Sequence, residues 1–582
     1  MMLPRNLRPL LPYFKKYRWG FVVGAFCVLL NNGIWILFPL VIRQAVDDLN
    51  HGITQHKLIT YSLLILAVAV AKGIFQFLTR WIVIGISRNV EFDMRNDLFR
   101  HLESLSLSYY QLTRTGDIMA RCTNDLNAVR MLLGPAIMYS ANTIVFTTGA
   151  LFFMWGLNHR LTMYAFLPLP IVSITIQYFG RKIHERFERI QAMFSEISAR
   201  AQENFSGARV IRAYAQEEAE IAQFEAANLE YIGRSLKLVR LMGMLFPTLE
   251  TMLGLAIVIV LWLGGRQVLS GGMTLGGFVA FNTYMVQLTW PIIALGWVAN
   301  LFQRGKASMG RINEIFEEKP EIADDPALMV ASLQVRGEIE FRNLSFSYDG
   351  HAVLHNINLR IPAGSSLAIV GPTGSGKTSL VSLIPRIYDA APGSVLIDGR
   401  PIREFPLETL RGSIGFVPQE TFLFSDTVRE NIAFGKTGAT DAEVKAAADG
   451  ASISGDIEGF PEQYQTLVGE RGITLSGGQK QRTAIARAII RNPRILVLDD
   501  ALASVDTHTE DKILGHLSEV MGARTTIFIS HRVSSIRNAD RIAVLHSGRI
   551  VELGTHEELF ARDGYYTELY NKQLLEEELA EV

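Results

Sequence analysis

Residues 366–378 read Ser-Leu-Ala-Ile-Val-Gly-Pro-Thr-Gly-Ser-Gly-Lys-Thr, an apolar strand that runs into a glycine-rich turn. The turn from Gly371 to Thr378 matches the phosphate-binding pattern G-x-x-x-x-G-K-[ST] in full. Its glycines let backbone N–H groups converge on phosphates, Lys377 would neutralise the outer phosphates, and the hydroxyl of Thr378 would ligate Mg²⁺. The alternative is a glycine turn that merely opens a helix, which the apolar strand in front disfavours. The stretch predicts an α/β domain that binds a nucleotide.

A second apolar strand ends in a pair of carboxylates. Residues 495–500 read Ile-Leu-Val-Leu-Asp-Asp, and Asp499 would hold the Mg²⁺ water shell, as the acidic residue of a nucleotide-hydrolysing site does. By itself this run is more typical of a strand that ends at a polar turn. Together with the phosphate-binding turn, it favours a magnesium-dependent nucleotide site.

The first half of the chain has the composition of a membrane domain. The 582 residues are 49% apolar and only 19% charged, against about 25% charged in ordinary soluble chains. The apolar residues concentrate in stretches long enough to cross a bilayer, which needs about 20 helical residues. Six spans are predicted, at 19–42, 58–80, 132–157, 161–180, 245–265 and 275–303.

Basic residues set the predicted orientation. Arg5, Arg8, Lys15, Lys16 and Arg18 precede the first span with no acidic residue among them, and the long connections after spans two and four are also rich in arginine. Cytoplasmic loops carry such an excess of basic residues. We therefore expect the N-terminus, both long connections and the domain after the sixth span to be cytoplasmic. A bacterial inner membrane fits this layout best.

Charge and cysteine content exclude two further classes. The 56 basic residues nearly cancel the 57 acidic ones, which removes the electrostatic case for binding nucleic acid. The two cysteines, Cys27 and Cys122, are too few for a disulfide framework or a Cys-rich zinc site. We expect neither a nucleic-acid partner nor structural zinc.

The character of the sequence changes near Pro320, where a polar connector begins and strand-like runs follow. We predict a transmembrane domain at 1–320, a linker at 321–335 and a nucleotide-binding domain at 336–582. The two long connections of the first domain read as helical and are interrupted near Gly116 and Gly207. The interruptions predict short crosswise helices at the cytoplasmic tips.

Between the two nucleotide motifs lies Leu475-Ser-Gly-Gly-Gln479, about 100 residues after the phosphate-binding turn and about 20 before the aspartates. This signature resembles that of the nucleotide-binding domain of ATP-binding cassette (ABC) transporters. Six membrane helices followed by one cassette resemble a half-transporter of the exporter class, which includes lipid flippases, multidrug exporters and peptide transporters. The resemblance covers nearly the whole chain. It implies an α-helical exporter domain followed by an α/β P-loop cassette, with ATP and Mg²⁺ as ligands.

The resemblance also implies roles for residues outside these motifs. Tyr348 is similar to the aromatic on which adenine stacks, Gln419 to the loop glutamine that contacts Mg²⁺ and the attacking water, and His531 to the switch histidine that contacts the γ-phosphate. Taken alone, Tyr348 is one more strand aromatic, and His531 is a histidine that ends an apolar strand. Residues 503–506 are similar to the loop through which one cassette contacts the other. The segments around Gly116 and Gly207 resemble the coupling helices that dock on cassettes.

In this family two cassettes close head to tail, so each ATP lies between the phosphate loop of one chain and the signature of the other. The resemblance therefore implies a dimer with a second half-transporter. The implied contacts to the chain's own nucleotide are Tyr348, Gly371, Thr373, Gly374, Ser375, Gly376, Lys377, Thr378 and Ser379, with Thr378, Gln419 and Asp499 at the metal. The implied contacts to the partner's nucleotide are Ser476, Gly477, Gly478 and Gln479.

One residue departs from the family's pattern. Most hydrolysing members have Glu after the magnesium-binding Asp, where it polarises the attacking water, and here that position is Asp500. A general base must lie within about 2.6–3.2 Å of its proton, directly or through one water. Asp is one methylene shorter, and misplacement by about 1 Å can reduce the rate on the order of a hundredfold. We expect this chain's site, with Asp500, Gln419 and His531 as its catalytic residues, to bind ATP well and hydrolyse it poorly.

In paired exporters of this family, such an Asp commonly belongs to one subunit of a heterodimer, whose other subunit keeps the Glu. The pattern resembles the Asp-bearing subunit of heterodimeric multidrug-type exporters of thermophilic bacteria. We therefore predict a non-identical partner, with hydrolysis mainly at the site that the partner's phosphate loop forms with the signature of this chain. The alternative is a homodimeric lipid or drug flippase in which Asp500 is the working base.

Polar residues inside the spans are candidates for lining a translocation path, because polar groups at membrane depth are costly unless they face protein or a wet cavity. The candidates are Asn31, Asn32, Glu250, Asn282, Gln287, Thr289, Trp290 and Trp297. For Glu250, a helix–helix hydrogen bond or a later start of the fifth span explains the residue equally well. The expected solutes are hydrophobic or amphipathic drugs, lipids or peptides, moved outward by alternating access. A channel gated by the cassettes and a membrane-anchored ATPase without transport are the rival functions.

Overall fold

A computed structural model of the chain describes residues 5–167, 169–325, 334–348, 350–469, 472, 474–502, 513, 524–530 and 536–580. These residues form two compact units. The first contains the residues up to Arg100 together with Gly116–Glu317, and the second contains His101–Thr115 together with the residues from Glu318 onward. The described residues of the first unit are helices and turns, and both sheets lie in the second.

Long helices form the first unit. In chain order the helices before the linker are α1 (Leu11–Lys16), α2 (Arg18–Asn50), α3 (Gln55–Ser104), α4 (Leu107–Leu112), α5 (Thr115–Ala120), α6 (Leu126–Met131), α7 (Ile137–Leu157), α8 (His159–Phe166), α9 (Leu169–Ser206), α10 (Ala208–Ala213), α11 (Glu217–Leu269) and α12 (Leu275–Glu317). Single turns of π-helix at Arg121–Asp125 and Leu132–Ala136 join α5, α6 and α7 into one run. The second π-turn contains Pro135, which cannot donate a backbone hydrogen bond to an α-helical turn.

Five helical runs are long and apolar enough to cross a membrane: Arg18–Asn50, Gln55–Ser104, Thr115–Leu157, Glu217–Leu269 and Leu275–Glu317. They contain the first, second, third, fifth and sixth predicted spans. The fourth predicted span, 161–180, falls on α8 and the first part of α9, on either side of residue 168, which lies outside the described residues. That span stays a prediction.

The apolar faces of α2, α7 and α12 pack together and supply much of the core of the first unit. Phe281 and Tyr284 of α12 are fully buried there, and the hydroxyl of Tyr284 donates a hydrogen bond of 2.6 Å to the carbonyl oxygen of Ile36. The α9 and α11 helices pack along each other, and the short α10 between them has no buried residue. The tip of this helical pair is therefore exposed in the single chain.

Two sheets organise the second unit. The strands are β1 (Ile339–Tyr348), β2 (His351–Ile361), β3 (Ser366–Val370), β4 (Val395–Ile397), β5 (Arg400–Pro401), β6 (Ile414–Val417), β7 (Ile495–Asp499), β8 (Thr525–Ile529), β9 (Arg541–His546) and β10 (Arg549–Gly554). An antiparallel sheet has the order β2-β1-β4-β5, and a second sheet has the order β10-β9-β3-β8-β7-β6. In the second sheet all neighbours are parallel except the edge pair β9 and β10.

The register of the parallel strands brings the two sequence motifs to one edge. Ile529 at the end of β8 is level with Ile369 of β3 on one side and with Asp499 of β7 on the other. The glycine-rich turn follows β3, so it and the two aspartates lie at the carboxyl ends of neighbouring strands. Ligands of open α/β sheets bind at this edge.

Short helices cover the parallel sheet, whose central strands β7 and β8 are buried along their whole length. These helices are α13 (Lys377–Ser382), α14 (Leu407–Gly412), α15 (Val428–Ala433), α16 (Asp441–Gly450), α17 (Ser454–Glu458), α18 (Gly477–Ile489), α19 (His556–Phe560) and α20 (Tyr565–Ala580).

The segment around α4, just before Gly116, belongs to the second unit. Gln111 donates a hydrogen bond of 2.8 Å from its side-chain amide to the hydroxyl of Tyr388. The hydroxyls of Ser106 and Ser108 donate to the carboxylate of Glu321, at 3.1 and 2.7 Å. The first of the two interrupted connections is thus attached to the unit that contains the phosphate-binding turn.

Candidate nucleotide-binding site

The glycine-rich turn can follow β3 closely only because two of its positions lack a side chain. A Cβ atom on Gly371 would lie 2.0 Å from the carbonyl oxygen of Leu545. Gly376 has φ +101° and ends the turn as the N-cap of α13, and a Cβ atom there would lie 2.8 Å from Leu354. Any larger residue would displace the turn from the sheet edge.

The side chain of Lys377 folds back over the turn. Its ammonium donates hydrogen bonds of 2.8 and 3.0 Å to the carbonyl oxygens of Gly371 and Pro372, and the residue is only 7% exposed. Burial lowers the pKa of Lys377, while the carboxylates of Asp500 and Asp499 oppose that shift. A cation held by carbonyl dipoles at the floor of a concave turn is suited to an anionic phosphate.

The end of β7 provides a buried acceptor for a metal ion. Asp499 is 1% exposed, and its Oδ1 accepts a hydrogen bond of 3.2 Å from the hydroxyl of Thr378. Its Oδ2 and the hydroxyl of Ser375 are buried without a hydrogen-bond partner among the described residues. Burial raises the pKa of Asp499. Oxygen ligands from Thr378 and Asp499 match the preference of Mg²⁺ for hard donors, so these residues fit that ion.

Asp500 enters the site from a fixed backbone position. Its φ is +50°, and its backbone N–H donates a hydrogen bond of 3.0 Å to the carbonyl oxygen of Ile529 at the end of β8. Asp tolerates this left-handed conformation better than most residues do. Because the neighbouring strand holds the backbone, the reach of the carboxylate depends on the length and the rotamer of the side chain.

These motifs surround one cavity of about 260 Å³. Its lining brings together most of the residues that the sequence assigned to the chain's own nucleotide and metal. The lining residues are Val353, Thr373, Gly374, Gly376, Lys377, Thr378, Ser379, Gln419, Asp499, Asp500 and Ile529. Val353 and Ile529 were missed in the sequence, since nothing local distinguishes them from other strand residues.

Tyr348 lies beside this cavity without lining it. Its hydroxyl donates a hydrogen bond of 3.2 Å to the hydroxyl of Ser379, which does line the cavity. Its ring packs edge-to-face against Phe346 and Tyr388, with centroids 4.8 and 5.0 Å apart. Burial raises the pKa of Tyr348. The ring is therefore held next to the phosphate-binding turn by its aromatic neighbours.

The signature residues do not line the cavity of their own chain. Ser476 is the N-cap of α18, and it forms a capping box with Gln479, in which each side chain bonds the other residue's backbone N–H, at 3.3 and 3.0 Å. The side-chain amide of Gln479 also donates to Asp456 at 3.0 Å. Ser476 and Gly477 are exposed.

Two predicted parts of the site lie outside the described residues. His531 follows the end of β8 by two positions, and residues 503–506 follow the end of β7, but neither is described. Their roles stay predictions.

Comparison with known proteins assigns the family. Residues 21–292 match the ABC transporter transmembrane region, and residues 354–503 match the ABC transporter family. Over 568 residues the chain is 37% identical to a probable multidrug resistance ABC transporter ATP-binding/permease protein of Bacillus subtilis, covering 97% of each chain. Over 565 residues it is 37% identical to an ATP-dependent lipid A-core flippase of Syntrophus aciditrophicus, covering 96% of this chain and 93% of the flippase. The solved structure of a bacterial Atm1-family ABC exporter with ATP bound matches with a TM-score of 0.78 and 31% identity, covering 96% of this chain and 98% of that one.

The chain belongs to the ABC exporters. The predicted fold class, a helical membrane exporter domain followed by a P-loop cassette, is confirmed. Cassettes of this family bind and hydrolyse ATP, normally with Mg²⁺, and these exporters work as dimers with a second half-transporter. The chain is accordingly a multi-pass membrane protein of the multidrug and lipid-flippase type.

The membrane unit of this ABC exporter gathers half of the polar residues singled out in the spans. Asn31, Asn32, Gln287 and Trp290 line one cavity. Asn282, Thr289 and Trp297 are not among its described lining residues, and Glu250 is exposed.

Six further polar residues of the same cavity were missed, Asn142 and Thr143 on α7 and four on α3. Lys72, Gln76, Thr79 and Arg80 lie on α3, in the second predicted span. Their spacing of four, seven and eight residues from Lys72 places them on one face of a helix. A charged residue in an otherwise apolar span is the signal that could have found them.

Proposed function

We propose that this chain is one half of a heterodimeric ABC exporter that exports hydrophobic or amphipathic solutes at the expense of ATP, and that its own ATP site hydrolyses poorly. Asp500 carries the asymmetric part of this proposal. The hydrogen bond from its backbone to Ile529 fixes where its side chain begins, so the missing methylene is not compensated by a shift of the chain. A carboxylate that stops short of the attacking water is a weak general base.

Within this proposal the residues of the cavity have separate tasks. Lys377 and the backbone of the glycine-rich turn bind the phosphates, and Tyr348 lies beside the turn for contact with adenine. Thr378, Asp499 and Gln419 would hold Mg²⁺, which neutralises phosphate charge when bound. Asp500 and Gln419 would contact the attacking water, and His531, which lies outside the described residues, would contact the γ-phosphate. The signature of the partner subunit would complete the binding site for this ATP.

Three surfaces of the chain support a partner subunit. Two of the signature residues, Ser476 and Gly477, are exposed, and the signature does not line the cavity of its own chain. At the tip around α10, the side chains of Phe205, Val210 and Tyr214 are 82%, 61% and 74% exposed. In the cassette, three aromatic side chains that follow Gln419 in the sequence are also exposed, namely Phe422, Phe424 and Phe434. Apolar tips and aromatic patches of this kind are typical of protein interfaces.

The transport cycle follows from the family's mode of action. ATP binding closes the two cassettes, the segments around Gly116 and Gly207 transmit the motion, and the membrane helices open outward. Hydrolysis, mainly at the site built from the partner's phosphate loop and Ser476–Gln479 of this chain, resets the inward-facing state. The proposed location is a bacterial inner membrane with the cassette in the cytoplasm.

Uptake into sealed inverted vesicles tests the export function. Vesicles with this chain and its co-expressed partner should concentrate an amphipathic dye when ATP is added, and vesicles with the Lys377→Ala chain should do so more slowly. A matched control is Lys445→Ala, which removes an exposed lysine of α16 in the same cassette. Equilibration without accumulation would indicate a passive gate, and ATP hydrolysis without uptake would indicate an uncoupled ATPase; either result excludes export.

A further inference from the structure

The membrane unit contains a cavity of about 230 Å³ between helices that are predicted to span the bilayer. The helices α2, α3, α7 and α12 each contribute to its wall. All of its lining residues fall inside the first, second, third and sixth predicted spans. Within a bilayer, polar groups are tolerated where they face such a cavity. The chemistry of its lining residues therefore indicates which class of solute the protein binds.

The charge of this cavity is entirely positive. Lys72 and Arg80 line it, and none of its described lining residues is acidic. Neither cation forms an ion pair within the described part of the chain. The acid in a neighbouring predicted span, Glu250, is exposed on α11 and does not line the cavity.

The side chain of Lys72 is half-buried and lies against a neighbouring helix. Lys72 precedes the predicted end of its span at Arg80 by eight residues, which is about 12 Å along a helix. Its Nζ lies 3.2 Å from the centroid of the Trp35 ring, so the side chain turns across to α2 and not along α3 toward water. The ring face stabilises the cation only in part, and an anion would neutralise it.

Unpaired polar atoms accompany the two cations. Thr79 is 2% exposed, and its hydroxyl has no hydrogen-bond partner among the described residues. The amide oxygens of Asn31 and Gln287 are also buried without a partner there. Asn32, by contrast, already donates to Val28 and to Asn142, at 2.8 and 2.7 Å. The cavity therefore has free hydrogen-bonding capacity next to its positive charge.

Aromatic rings complete the wall. Trp35, Tyr139, Phe146 and Trp290 line the same cavity. Such rings accept an apolar chain or ring system and leave the polar groups to fix a head group.

We propose that this cavity binds the anionic head of an amphipathic solute, such as a sulfonate, carboxylate or phosphate, with Lys72 as its principal partner. Arg80 and the hydroxyl of Thr79 contact the same head, and the aromatic rings hold the adjoining apolar part. The proposal rests on the export function proposed above and specifies its substrate class. A lipid headgroup and a soluble amphipathic anion share this chemistry.

Binding is measured without ATP on the purified pair in phosphatidylcholine nanodiscs, using a dansyl-labelled alkyl sulfonate and the matching alkyl alcohol. We expect the wild type to bind the sulfonate at least about tenfold more tightly than the alcohol, because a charge-assisted hydrogen bond is stronger than a neutral one. Lys72→Gln should lose that preference, and Lys72→Arg should keep it. Lys306→Gln, which removes an exposed lysine of α12 outside the cavity, is the matched control and should also keep it.

Adding phosphatidylglycerol to the nanodiscs distinguishes the two sources of the anion. Displacement of the sulfonate by the anionic lipid assigns the site to a lipid headgroup, and retention assigns it to a soluble amphipath. Equal affinity of the wild type for sulfonate and alcohol overturns the proposal, and so does an unchanged preference in Lys72→Gln. The comparison of probes on the wild type does not depend on any variant folding. Loss of ATP-driven uptake for every solute would remove the export function while leaving anion binding in place.

Discussion

At the end of β7, two adjacent aspartates have different environments. Asp499 is 1% exposed and keeps one carboxylate oxygen without a partner among the described residues, which suits a metal ligand. Asp500 has a left-handed backbone that is hydrogen-bonded to the neighbouring strand. The role of Asp499 depends on its buried position, and the role of Asp500 depends on how far its carboxylate extends. Lengthening each side chain by one methylene should therefore affect ATP turnover in opposite ways.

Asp500→Glu should raise the turnover of this chain's own ATP site. The longer side chain brings the carboxylate nearer the attacking water, and we expect a gain on the order of ten- to a hundredfold. The measurement is steady-state phosphate release from a pair whose partner subunit has lost its own catalytic Glu. Asp499→Glu makes the same chemical change one residue earlier and should lower turnover, because the longer side chain does not fit a buried position. Unchanged turnover in Asp500→Glu would mean that side-chain length does not limit this site.

Among the secondary-structure elements, α18 depends on the loop and helix in front of it. The guanidinium of Arg482 donates hydrogen bonds of 2.7 Å to the carbonyl oxygen of Ser452 and to the carboxylate of Asp456. Asp456 also accepts from the amide of Gln479. The carboxylate of Asp456 therefore holds the capping box that begins the signature helix.

Asp456→Ala should lower ATP turnover of the pair by about tenfold, since charge-assisted hydrogen bonds of this kind contribute about 1.5–3 kcal/mol. Binding of a fluorescent ATP analogue to this chain's own phosphate-binding turn should not change, because the signature does not line that cavity. Glu458→Ala, at an exposed position of the same α17 helix, is the control and should leave turnover unchanged. Weaker binding of the ATP analogue to the chain's own turn in Asp456→Ala would contradict this assignment, because it would mean that the signature serves the nucleotide of its own chain.

Local patterns predicted the parts of the site that are continuous in sequence. The turn from Gly371 to Thr378 and the aspartates at the end of β7 were found because strand order is not needed to recognise them. Tyr348 was assigned only through the family resemblance, because its hydrogen bond to Ser379 joins residues that are 31 positions apart in the chain. Lys72 was missed although it is charged, because its meaning depends on Trp35 of another helix.

The helices show the same limit. Five of the six spans predicted from hydropathy lie in long apolar helices, but hydropathy gave no sign of the π-turns at Arg121–Asp125 and Leu132–Ala136, the second of which contains Pro135. The interruptions near Gly116 and Gly207 read alike in sequence. In the structure the first segment is attached to the cassette unit, whereas the second is an exposed tip. A single sequence does not distinguish a segment that packs against its own chain from one whose surface is available to a partner subunit.

For the whole molecule, the exposed signature, the exposed apolar tip at α10 and the aromatic patch after Gln419 all point to a second half-transporter. A homodimer and a heterodimer would cover these surfaces equally well. The two assemblies differ in whether their two ATP sites are equivalent. In a homodimer Asp500 is the general base at both sites, whereas in the proposed heterodimer the partner's Glu is the general base at one of them.

Steady-state ATP turnover in lipid therefore decides the assembly. It is measured for the purified chain alone, for the chain co-expressed with a neighbouring half-transporter, and for that pair carrying Asp500→Ala. We predict that the chain alone is nearly inactive and that the pair is active and little affected by Asp500→Ala. Robust turnover of the chain alone that Asp500→Ala abolishes is incompatible with an asymmetric heterodimer and would make Asp500 the working base of a homodimer.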